Sequence, residues 1–300
     1  MSTAAPRIVV AINPQASFGA RQEVGPAVVT ALSAAGFEVV AITQPNGELL
    51  RRETLAAVDA GADALVMVGG DGMAGMGTNI VAGTTLPLGI IPSGTGNDVA
   101  RGLGMPIDDT DAAIRALLDA LERGPRVIDA GRVRQGGLTT WFIGVLSAGF
   151  DAIVNERANR ISHPRGKSRY TLAMLIELVS FRPIEYVVTT DSESFATRAM
   201  LISVANNRSI GGGMMIAPDA ELDDGLLDLF IVTPMSKIRF ISVFSKVFSG
   251  THTSLPEVQL SRVRSVRLES PSAVAYADGE RIGALPIEVE VVPGALRVLA

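Results

Sequence analysis

The sequence contains no cysteine, only two histidines and no long apolar run. Without cysteine there is no disulfide, no thiolate nucleophile and no cysteine-ligated metal, which fits a reducing compartment. His163 and His252 leave little material for a histidine-based triad or a zinc site. The longest apolar stretch, residues 172–181, is interrupted by Glu177 and falls short of the roughly 18–20 residues that span a bilayer.

A strong excess of charge of one sign is also absent. The net charge of −5 argues against a nucleic-acid partner, because such proteins need a basic surface. The apolar run at residues 8–12 is too short for a signal peptide, and the lack of G-x-x-x-x-G-K-[ST] excludes a P-loop protein. We therefore expect a cytoplasmic protein, and 300 residues are enough for two folded domains.

The first 128 residues alternate strand and helix signals. Repeated βα units of this length predict an α/β domain with a parallel sheet and helices on both of its sides. The last helix begins at Thr110 as its N-cap. The predicted strands are 7–12, 37–43, 64–68 and 86–91, and the predicted helices are 27–35, 49–60, 78–81 and the one that starts at Thr110.

From about residue 128 the pattern changes to short strands with hairpin-like turns and one helix, at 170–181. A mostly antiparallel sandwich or barrel fits this pattern, and we predict a β-sandwich. The predicted domains are residues 1–128 and 129–294, and the last strand, at about 295–300, can return to the first domain. The predicted strands are 132–134, 141–146, 186–190, 197–206, 226–232, 265–270 and 273–277.

The most informative stretch joins the apolar run 64–68 to three glycines around a single acid, Asp71. The uncharged run predicts a buried parallel strand. Glycines directly after such a strand let the backbone approach a bound group, and exposed N–H groups there can hold a phosphate. A carboxylate beside an anion needs a cation between them, so the stretch indicates a metal–nucleotide site.

Two further glycine-rich turns follow predicted strands, at residues 13–19 and 92–98. Loops at the carboxyl ends of parallel strands share one edge of the sheet, so all three can converge on one ligand. Ser17, Thr95 and Asn97 would offer hydrogen bonds there. Each turn alone is an ordinary βα connection, but three together predict a ligand site.

Dinucleotide binding is the obvious competing interpretation, because residues 70–75 satisfy G-x-G-x-x-G. This motif, however, follows the third strand and carries Asp71 between its glycines. No acidic residue ends the next strand, which runs into Pro92 and Ser93. A dinucleotide site is therefore the weaker interpretation.

Further short motifs continue along the chain. The whole set is Asn13-Pro14 with Ser17 and Gly19, Gly-Gly-Asp-Gly at 69–72, Gly94–Asp98 with Ala100-Arg101, Gly149–Asp151, Asn206-Asn207, Ala217-Pro218, Leu222–Gly225 and Asp278–Glu280. On these motifs the chain resembles the diacylglycerol kinase catalytic-domain family, which includes bacterial diacylglycerol kinases, related lipid kinases and sphingosine kinases. The resemblance covers nearly the whole chain, and it implies an α/β first domain like that of NAD kinases and diacylglycerol kinases.

The resemblance implies an ATP site in which Asp71 acts through Mg²⁺ and water on the β- and γ-phosphates. It also implies that Glu280 or Asp278 takes the proton from a lipid hydroxyl, although Asp278-Gly279 is equally typical of a hairpin turn. The nucleotide-binding residues that it implies are Asn13, Pro14, Gln15, Ala16, Ser17, Thr43, Gly69, Gly70, Asp71, Gly72, Met73, Ala74, Gly75, Thr95 and Asn97.

A structural Mg²⁺ is implied as well. Its ligands would be the side chain of Asp224 and the main-chain oxygens of Glu221 and Leu226. The sequence Asp-Asp-Gly at 223–225 is also turn chemistry in its own right.

The chain departs from the family after Gly-Gly-Asp-Gly. Family members carry a threonine there and an Asn-Glu pair shortly beyond, where this chain has Met73, Gly75 and Met76. A hydroxyl and a carboxylate near the phosphates are therefore missing. A non-catalytic protein that binds nucleotide or lipid is an alternative that this departure supports.

Five cations lie within residues 157–169, directly before the predicted apolar helix. A basic cluster beside apolar surface favours anionic headgroups, although a solvated charge run is an equally good interpretation. We expect a lipid substrate at a membrane surface and leave a homodimer open.

The prediction is an ATP-dependent lipid kinase, with diacylglycerol as acceptor and phosphatidic acid as product. A sphingoid base or monoacylglycerol as acceptor, and an NAD kinase-like enzyme, are the alternatives.

Overall fold

The structure is a computed structural model that describes residues 5–14, 23–150, 152–154, 157, 161, 173, 176–177 and 182–300, with the backbone alone at 243–245. The chain divides into two compact units. Unit 1 comprises Met1–Ile128 and Gly294–Ala300, and unit 2 comprises Asp129–Pro293. Among the described residues no helix is long and apolar enough to cross a membrane.

Unit 1 alternates strands and helices, as predicted. Its elements are β1 (Arg7–Ile12), α1 (Val24–Ala34), β2 (Glu38–Thr43), α2 (Gly47–Asp59), β3 (Ala64–Gly69), α3 (Asp71–Val81), β4 (Leu88–Pro92), α4 (Asp98–Gly102) and α5 (Thr110–Arg123).

The sheet of unit 1 has the order β2-β1-β3-β4, and its strands are parallel. Every residue of β3 and β4 is buried, which is typical of parallel strands that are covered on both faces. Val298 and Leu299 add a further parallel strand beside Leu88 and Gly89. The chain goes from β1 outwards to β2 and then to the other side of β1 for β3. Ligands bind at such a reversal in open sheets, outside the carboxyl ends of the strands.

The start of α5 differs from the prediction by one residue. Asp109, and not Thr110, is the N-cap, because its backbone is extended and its carboxylate accepts a hydrogen bond from Ala112 N at 2.9 Å. The apolar face of α5 then packs into the core of unit 1 through Ala113, Ile114 and Leu117.

Unit 2 contains most of the strands of the molecule. Its elements are β5 (Arg126–Gln135, which starts in unit 1), β6 (Leu138–Phe142), β7 (Val145–Gly149), β8 (Ile184–Thr190), β9 (Ser194–Ala199), β10 (Leu201–Ala205), β11 (Leu227–Val232), α6 (Lys237–Val247), a 3-10 helix (Thr251–Ser254), β12 (Val258–Val263), β13 (Ser265–Glu269), β14 (Val274–Ala277), β15 (Glu280–Ala284) and β16 (Ile287–Leu299, which ends in unit 1).

One sheet of unit 2 is antiparallel, with the order β12-β11-β10-β7-β14-β15. A second antiparallel set joins the first half of β16 to β13, β8 and β9. Alternation along the first sheet divides its side chains between two cores. Leu146 and Leu229 lie in the core that the second set shares, and Val145 and Phe230 lie in the core under α6. The sandwich prediction is therefore confirmed.

Several details of unit 2 differ from the prediction, and the strands β12 and β15 were not predicted. The predicted strand 141–146 is two strands, β6 and β7, separated at Ile143 and Gly144. The predicted strand 197–206 is also two, because the chain passes from β9 in one sheet to β10 in the other at Met200. The helix α6 was not predicted. The predicted helix 170–181 falls outside the described residues except at 173, 176 and 177.

Candidate active site

The carboxyl ends of three strands lie together in unit 1. Asn13 N, after β1, donates to Val68 O at 3.3 Å. Ser93 N, after β4, donates to Gly69 O at 2.9 Å. The loops after β1, β3 and β4 therefore start from neighbouring points at this edge of the sheet.

Two glycines let the loops after β3 and β4 pack backbone on backbone. A Cβ at Gly94 would collide with the Cα of Gly70, and a Cβ at Gly70 would lie 3.0 Å from the Cα of Gly94. Gly72 differs, because a Cβ there would meet nothing within 4 Å. Gly70 and Gly94 are thus required by the contact between the loops, whereas Gly72 borders open space in which a ligand could lie.

The glycine stretch is the start of a helix. α3 begins at Asp71, directly after the N-cap Gly70, so the predicted helix 78–81 is only its last turn. The first N–H groups of a helix lack partners within it, and the helix dipole favours negative charge at this end. The start of α3 therefore has the geometry and the field that suit a phosphate.

Asp71 sits at this helix start and is half-buried. Burial raises the pKa of its carboxyl above the ordinary value. The hydrogen bond that Oδ1 accepts from Val99 N at 2.9 Å opposes this rise in pKa, and the charge of Asp98 adds to it. A carboxylate whose charge is disfavoured in this way gains from a nearby cation.

Three predicted nucleotide-binding residues further along α3 are buried, namely Met73, Ala74 and Gly75. A Cβ at Gly69 would collide with the side chain of Met73, so Met73 fills space that only a glycine leaves open. These residues can support a nucleotide through the backbone of α3 but not through their side chains.

The loop after β4 is closed by Asn97. This residue is buried and left-handed, with φ 55°, and its Oδ1 accepts from Gly94 N at 2.9 Å while its Nδ2 donates to Gly94 O at 3.1 Å. Asn97 thus shapes the loop that presents Thr95, which is exposed.

The remaining nucleotide-binding residues of the prediction lie at the ends of β1 and β2. Asn13 and Pro14 are half-buried, and Thr43 is exposed. Gln15, Ala16 and Ser17 lie outside the described residues.

In unit 2 the predicted catalytic residues lie on the tight turn between β14 and β15. Asp278 has φ 47° and Gly279 has φ 85°, and two successive residues with positive φ are typical of a type I′ hairpin turn. The turn interpretation of Asp278-Gly279 is therefore correct. It does not compete with the catalytic one, because the turn presents the next residue, Glu280.

Asp278 fastens this turn to the loop before β7. Its Oδ2 accepts from Ile143 N at 2.9 Å, and its Oδ1 accepts from Gly144 N and Val145 N at 3.0 Å each. These bonds explain why the predicted strand 141–146 breaks, since the N–H groups of Ile143 and Gly144 face a carboxylate. A carboxylate that accepts three N–H bonds is suited to hold the turn in place.

Glu280 differs from Asp278 in its exposure and in the hydrogen bonding of its carboxylate. It is the first residue of β15, and its side chain is exposed. Within the described part of the chain no hydrogen bond or ion pair engages its carboxylate. Glu280 therefore keeps the free lone pairs that a proton acceptor needs.

The Asp-Asp-Gly turn places Asp224 half-buried beside Arg262. Oδ1 of Asp224 accepts from Leu226 N at 3.0 Å, and Oδ2 lies 3.5 Å from Arg262 Nη1 but has no hydrogen bond. Glu221 is exposed. Among the described residues no three His, Asp or Glu side chains lie close enough together to share a metal ion.

A second acid, Asp228, lies near the same charged residues as Asp224. Burial raises the pKa of its carboxyl to about 6, the charge of Arg262 opposes the rise, and the charges of Asp224, Asp219 and Glu221 increase it. Negative charge thus accumulates around the Asp-Asp-Gly turn beyond what Arg262 compensates.

Sequence reasoning missed Asp129 as a support of this turn. Asp129 is buried and its Oδ2 accepts from Gly225 N at 2.7 Å. Asn206, which belongs to a motif of the resemblance, donates to Asp129 O at 3.2 Å and to Ile143 O at 3.0 Å. The only signal for Asp129 was a single acid inside an apolar stretch, which does not reveal a partner 96 residues away.

Family models match both parts of the chain. The diacylglycerol kinase catalytic domain matches residues 7–133, and the YegS C-terminal NAD kinase beta sandwich-like domain matches residues 144–300. A diacylglycerol kinase of Mycobacterium tuberculosis is 38% identical over 98% of this chain and 94% of its own length. This chain belongs to the diacylglycerol kinase family. Its members are kinases that transfer phosphate to a lipid, and the family implies ATP as phosphoryl donor.

Further relatives agree. A diacylglycerol kinase of Bacillus subtilis is 30% identical over 75% of this chain and 74% of its own length. A crystal structure of a diacylglycerol kinase from Bacillus anthracis superposes with a TM-score of 0.71, at 19% identity, over all of this chain and 98% of that one. The predicted family, the fold class and the assignment as a lipid kinase are thereby confirmed, and the NAD kinase-like alternative loses its support.

Proposed function

We propose that this kinase transfers the γ-phosphoryl group of ATP to the free hydroxyl of diacylglycerol and releases phosphatidic acid. The observation that carries the proposal is that one turn holds two different carboxylates. Asp278 is fixed by three N–H bonds, whereas Glu280 is exposed and its carboxylate has no such bonds among the described residues. Such a pair suits the removal of a proton from a hydroxyl. The name shared by the relatives in Mycobacterium tuberculosis and Bacillus subtilis supports diacylglycerol as the acceptor.

The edge of unit 1 fits the phosphates of ATP. The contact between Gly70 and Gly94 removes side chains from the two loops, and the start of α3 supplies N–H groups and a favourable field. We propose that the predicted residues around Gly69–Gly75, with Asn13–Ser17, Thr43, Thr95 and Asn97, form this site. Met73, Ala74 and Gly75 contribute through the backbone, and Asn97 through the shape of its loop.

Mg²⁺ fits two places in this proposal. Asp71 would face the cation that accompanies the phosphates, since its half-buried carboxylate has a raised pKa and gains from a positive partner. Asp224, with main-chain oxygens of Glu221 and Leu226, would hold a structural ion, since its Oδ2 is buried without a hydrogen bond. A bound Mg²⁺ supplies charge neutralisation for the transferred group and rigidity for the Asp-Asp-Gly turn.

The two acids of the β14–β15 turn have different proposed roles. We propose that Glu280 accepts the proton of the lipid hydroxyl as its oxygen attacks the γ-phosphorus, and that Asp278 positions the turn without touching the reacting atoms. Phosphoryl transfer needs little covalent chemistry from the protein, so positioning and charge stabilisation carry most of the rate. We further propose that the enzyme works in the cytoplasm, peripheral to the membrane that contains its substrate.

The test is transfer of labelled γ-phosphate with Mg²⁺ to mixed micelles of detergent with diacylglycerol, monoacylglycerol, sphingosine or ceramide. We expect labelled phosphatidic acid from diacylglycerol, and a loss of about 100- to 1,000-fold in rate for Asp71→Asn, on the scale of one removed electrostatic stabiliser. The matched control is Asp111→Asn, because Asp111 is also an acid in the first turn of a helix but is exposed and lies outside the three glycine-rich turns.

Each other outcome has a defined meaning. Label on another lipid would correct the acceptor and keep the kinase. ATP binding without transfer to any lipid would favour the non-catalytic alternative. Equal rates for Asp71→Asn and the wild type would overturn the role of Asp71.

A further inference from the structure

One face of α6 carries large apolar side chains in solvent. Ile238 is 84% exposed, Ile241 is 51% exposed and Phe248, at the C-cap, is 53% exposed. A helix rises about 1.5 Å per residue, so the three side chains extend over about 15 Å. We call these three residues the α6 ridge. Clustered exposed apolar side chains of this size mark interaction surfaces.

The opposite face of α6 fixes the helix firmly to unit 2. Phe240 and Val247 are buried, and the ring of Phe240 meets that of Phe150 edge to face at 5.1 Å. Met215 N donates to Val247 O at 2.9 Å, and the hydroxyl of Ser236 caps the helix start. The ridge is therefore presented by an anchored helix, and its exposure does not come from a loosely packed segment.

The segment that contains the ridge has basic residues and no acidic ones. Residues 233–256 contain Lys237, Arg239 and Lys246 and no acid, although the whole chain has a net charge of −5. Arg239 is paired with Glu257, and Lys237 and Lys246 are both exposed, one at each end of the helix. Apolar side chains flanked by lysines on one helix are typical of segments that lie in the headgroup region of anionic membranes.

We propose that the α6 ridge inserts into the surface of an anionic lipid bilayer while Lys237 and Lys246 contact its headgroups. This inference rests on the proposed function in one respect, since it describes how the kinase would reach a substrate dissolved in a membrane. A second copy of the chain is a poorer occupant. A stable interface buries about 800 Å² on each partner, which is far more than three side chains expose. The lysines of one copy would also repel the lysines of the other.

The test is co-sedimentation with vesicles of phosphatidylcholine alone or with phosphatidylglycerol, without ATP or diacylglycerol. We expect binding to the anionic vesicles only. The double variant Ile238→Ser/Ile241→Ser should bind at least about tenfold more weakly, and Lys246→Glu about fivefold more weakly. The matched control is Leu138→Ser, which removes a side chain that is 70% exposed on β6 and should leave binding unchanged.

Phosphorylation of a short-chain diacylglycerol dispersed in detergent separates this inference from the proposed function. The double variant should keep wild-type activity there, because its defect is in reaching a bilayer. Unchanged vesicle binding in the double variant overturns the inference whether or not the kinase is active. An altered sedimentation coefficient with unchanged vesicle binding would also overturn it, by assigning the ridge to contact between copies.

Discussion

The glycine edge of unit 1 and the β14–β15 turn of unit 2 offer chemistry in opposite ways. In unit 1 the useful groups belong to the backbone, and Gly70 and Gly94 matter because they have no side chains to keep two loops apart. In unit 2 the useful groups are carboxylates, and backbone N–H groups serve only to fix Asp278. A site made of backbone is damaged by adding atoms, whereas a site made of side chains is damaged by removing them.

The largest effect on folding is expected at Asp278. Asp278→Ala leaves the N–H groups of Ile143, Gly144 and Val145 without an acceptor, and each such loss costs about 1–3 kcal/mol. We expect the free energy of unfolding to fall by about 3 kcal/mol or more, measured by urea denaturation. Asp278→Asn keeps one acceptor oxygen and should lose less. Equal stability of both variants and the wild type would show that the hydrogen bonds of Asp278 do not hold the turn.

Adding a single methyl group should damage unit 1. Gly94→Ala forces its Cβ against the Cα of Gly70, and overpacking of this kind costs about 1–3 kcal/mol. We expect a lower melting temperature and weaker ATP binding by calorimetry. Gly72→Ala is the control for melting alone, because its Cβ meets nothing in the protein and alanine favours a helix by up to about 1 kcal/mol. If Gly94→Ala melted like Gly72→Ala, close contact between the loops would not matter.

Acid should lower the stability of unit 2 through His252. His252 lies in unit 2 and is fully buried, with Nε2 bonded to Ile216 O at 3.2 Å. Burial lowers the pKa of His252 below 6.5, so the unfolded chain binds a proton more readily than the folded one. The stability that His252 contributes is thus complete above its unfolded pKa and is lost as pH falls towards the folded pKa.

Denaturation of the wild type and of His252→Gln, each near pH 7.5 and near pH 5, measures this effect. We expect the wild type to lose more stability on acidification, because a difference of one between the folded and unfolded pKa of a group corresponds to about 1.4 kcal/mol. Equal losses in the two proteins would contradict a role for His252 in acid sensitivity.

The sequence predicted the alternation of unit 1 well because β3 and β4 are uncharged and fully buried, and because α1 and α2 are followed by the glycines Gly36 and Gly61. It placed the glycine loops at one edge of the sheet for the same reason. It did not reveal α6, because Ile238 and Ile241 are exposed and blur the apolar period that a buried helix face produces.

Long-range partners were beyond sequence reasoning. Asp278 meets backbone groups more than 130 residues away, and a turn signal at Asp278-Gly279 says nothing about them. The break in the predicted strand 141–146 has the same cause, since the carboxylate that interrupts it comes from another hairpin. The inward direction of Met73 also depends on tertiary packing, namely on the space above Gly69.

The most direct test of the account uses Glu280→Gln with Glu185→Gln as control, because Glu185 is another exposed glutamate at the surface of unit 2. ATP affinity by calorimetry and transfer of labelled γ-phosphate to diacylglycerol are measured on the same samples. We predict unchanged ATP affinity and a transfer rate that is about 100- to 10,000-fold lower for Glu280→Gln alone, the range for removal of a general base. Transfer at the wild-type rate by Glu280→Gln would contradict the assignment of proton abstraction to this carboxylate.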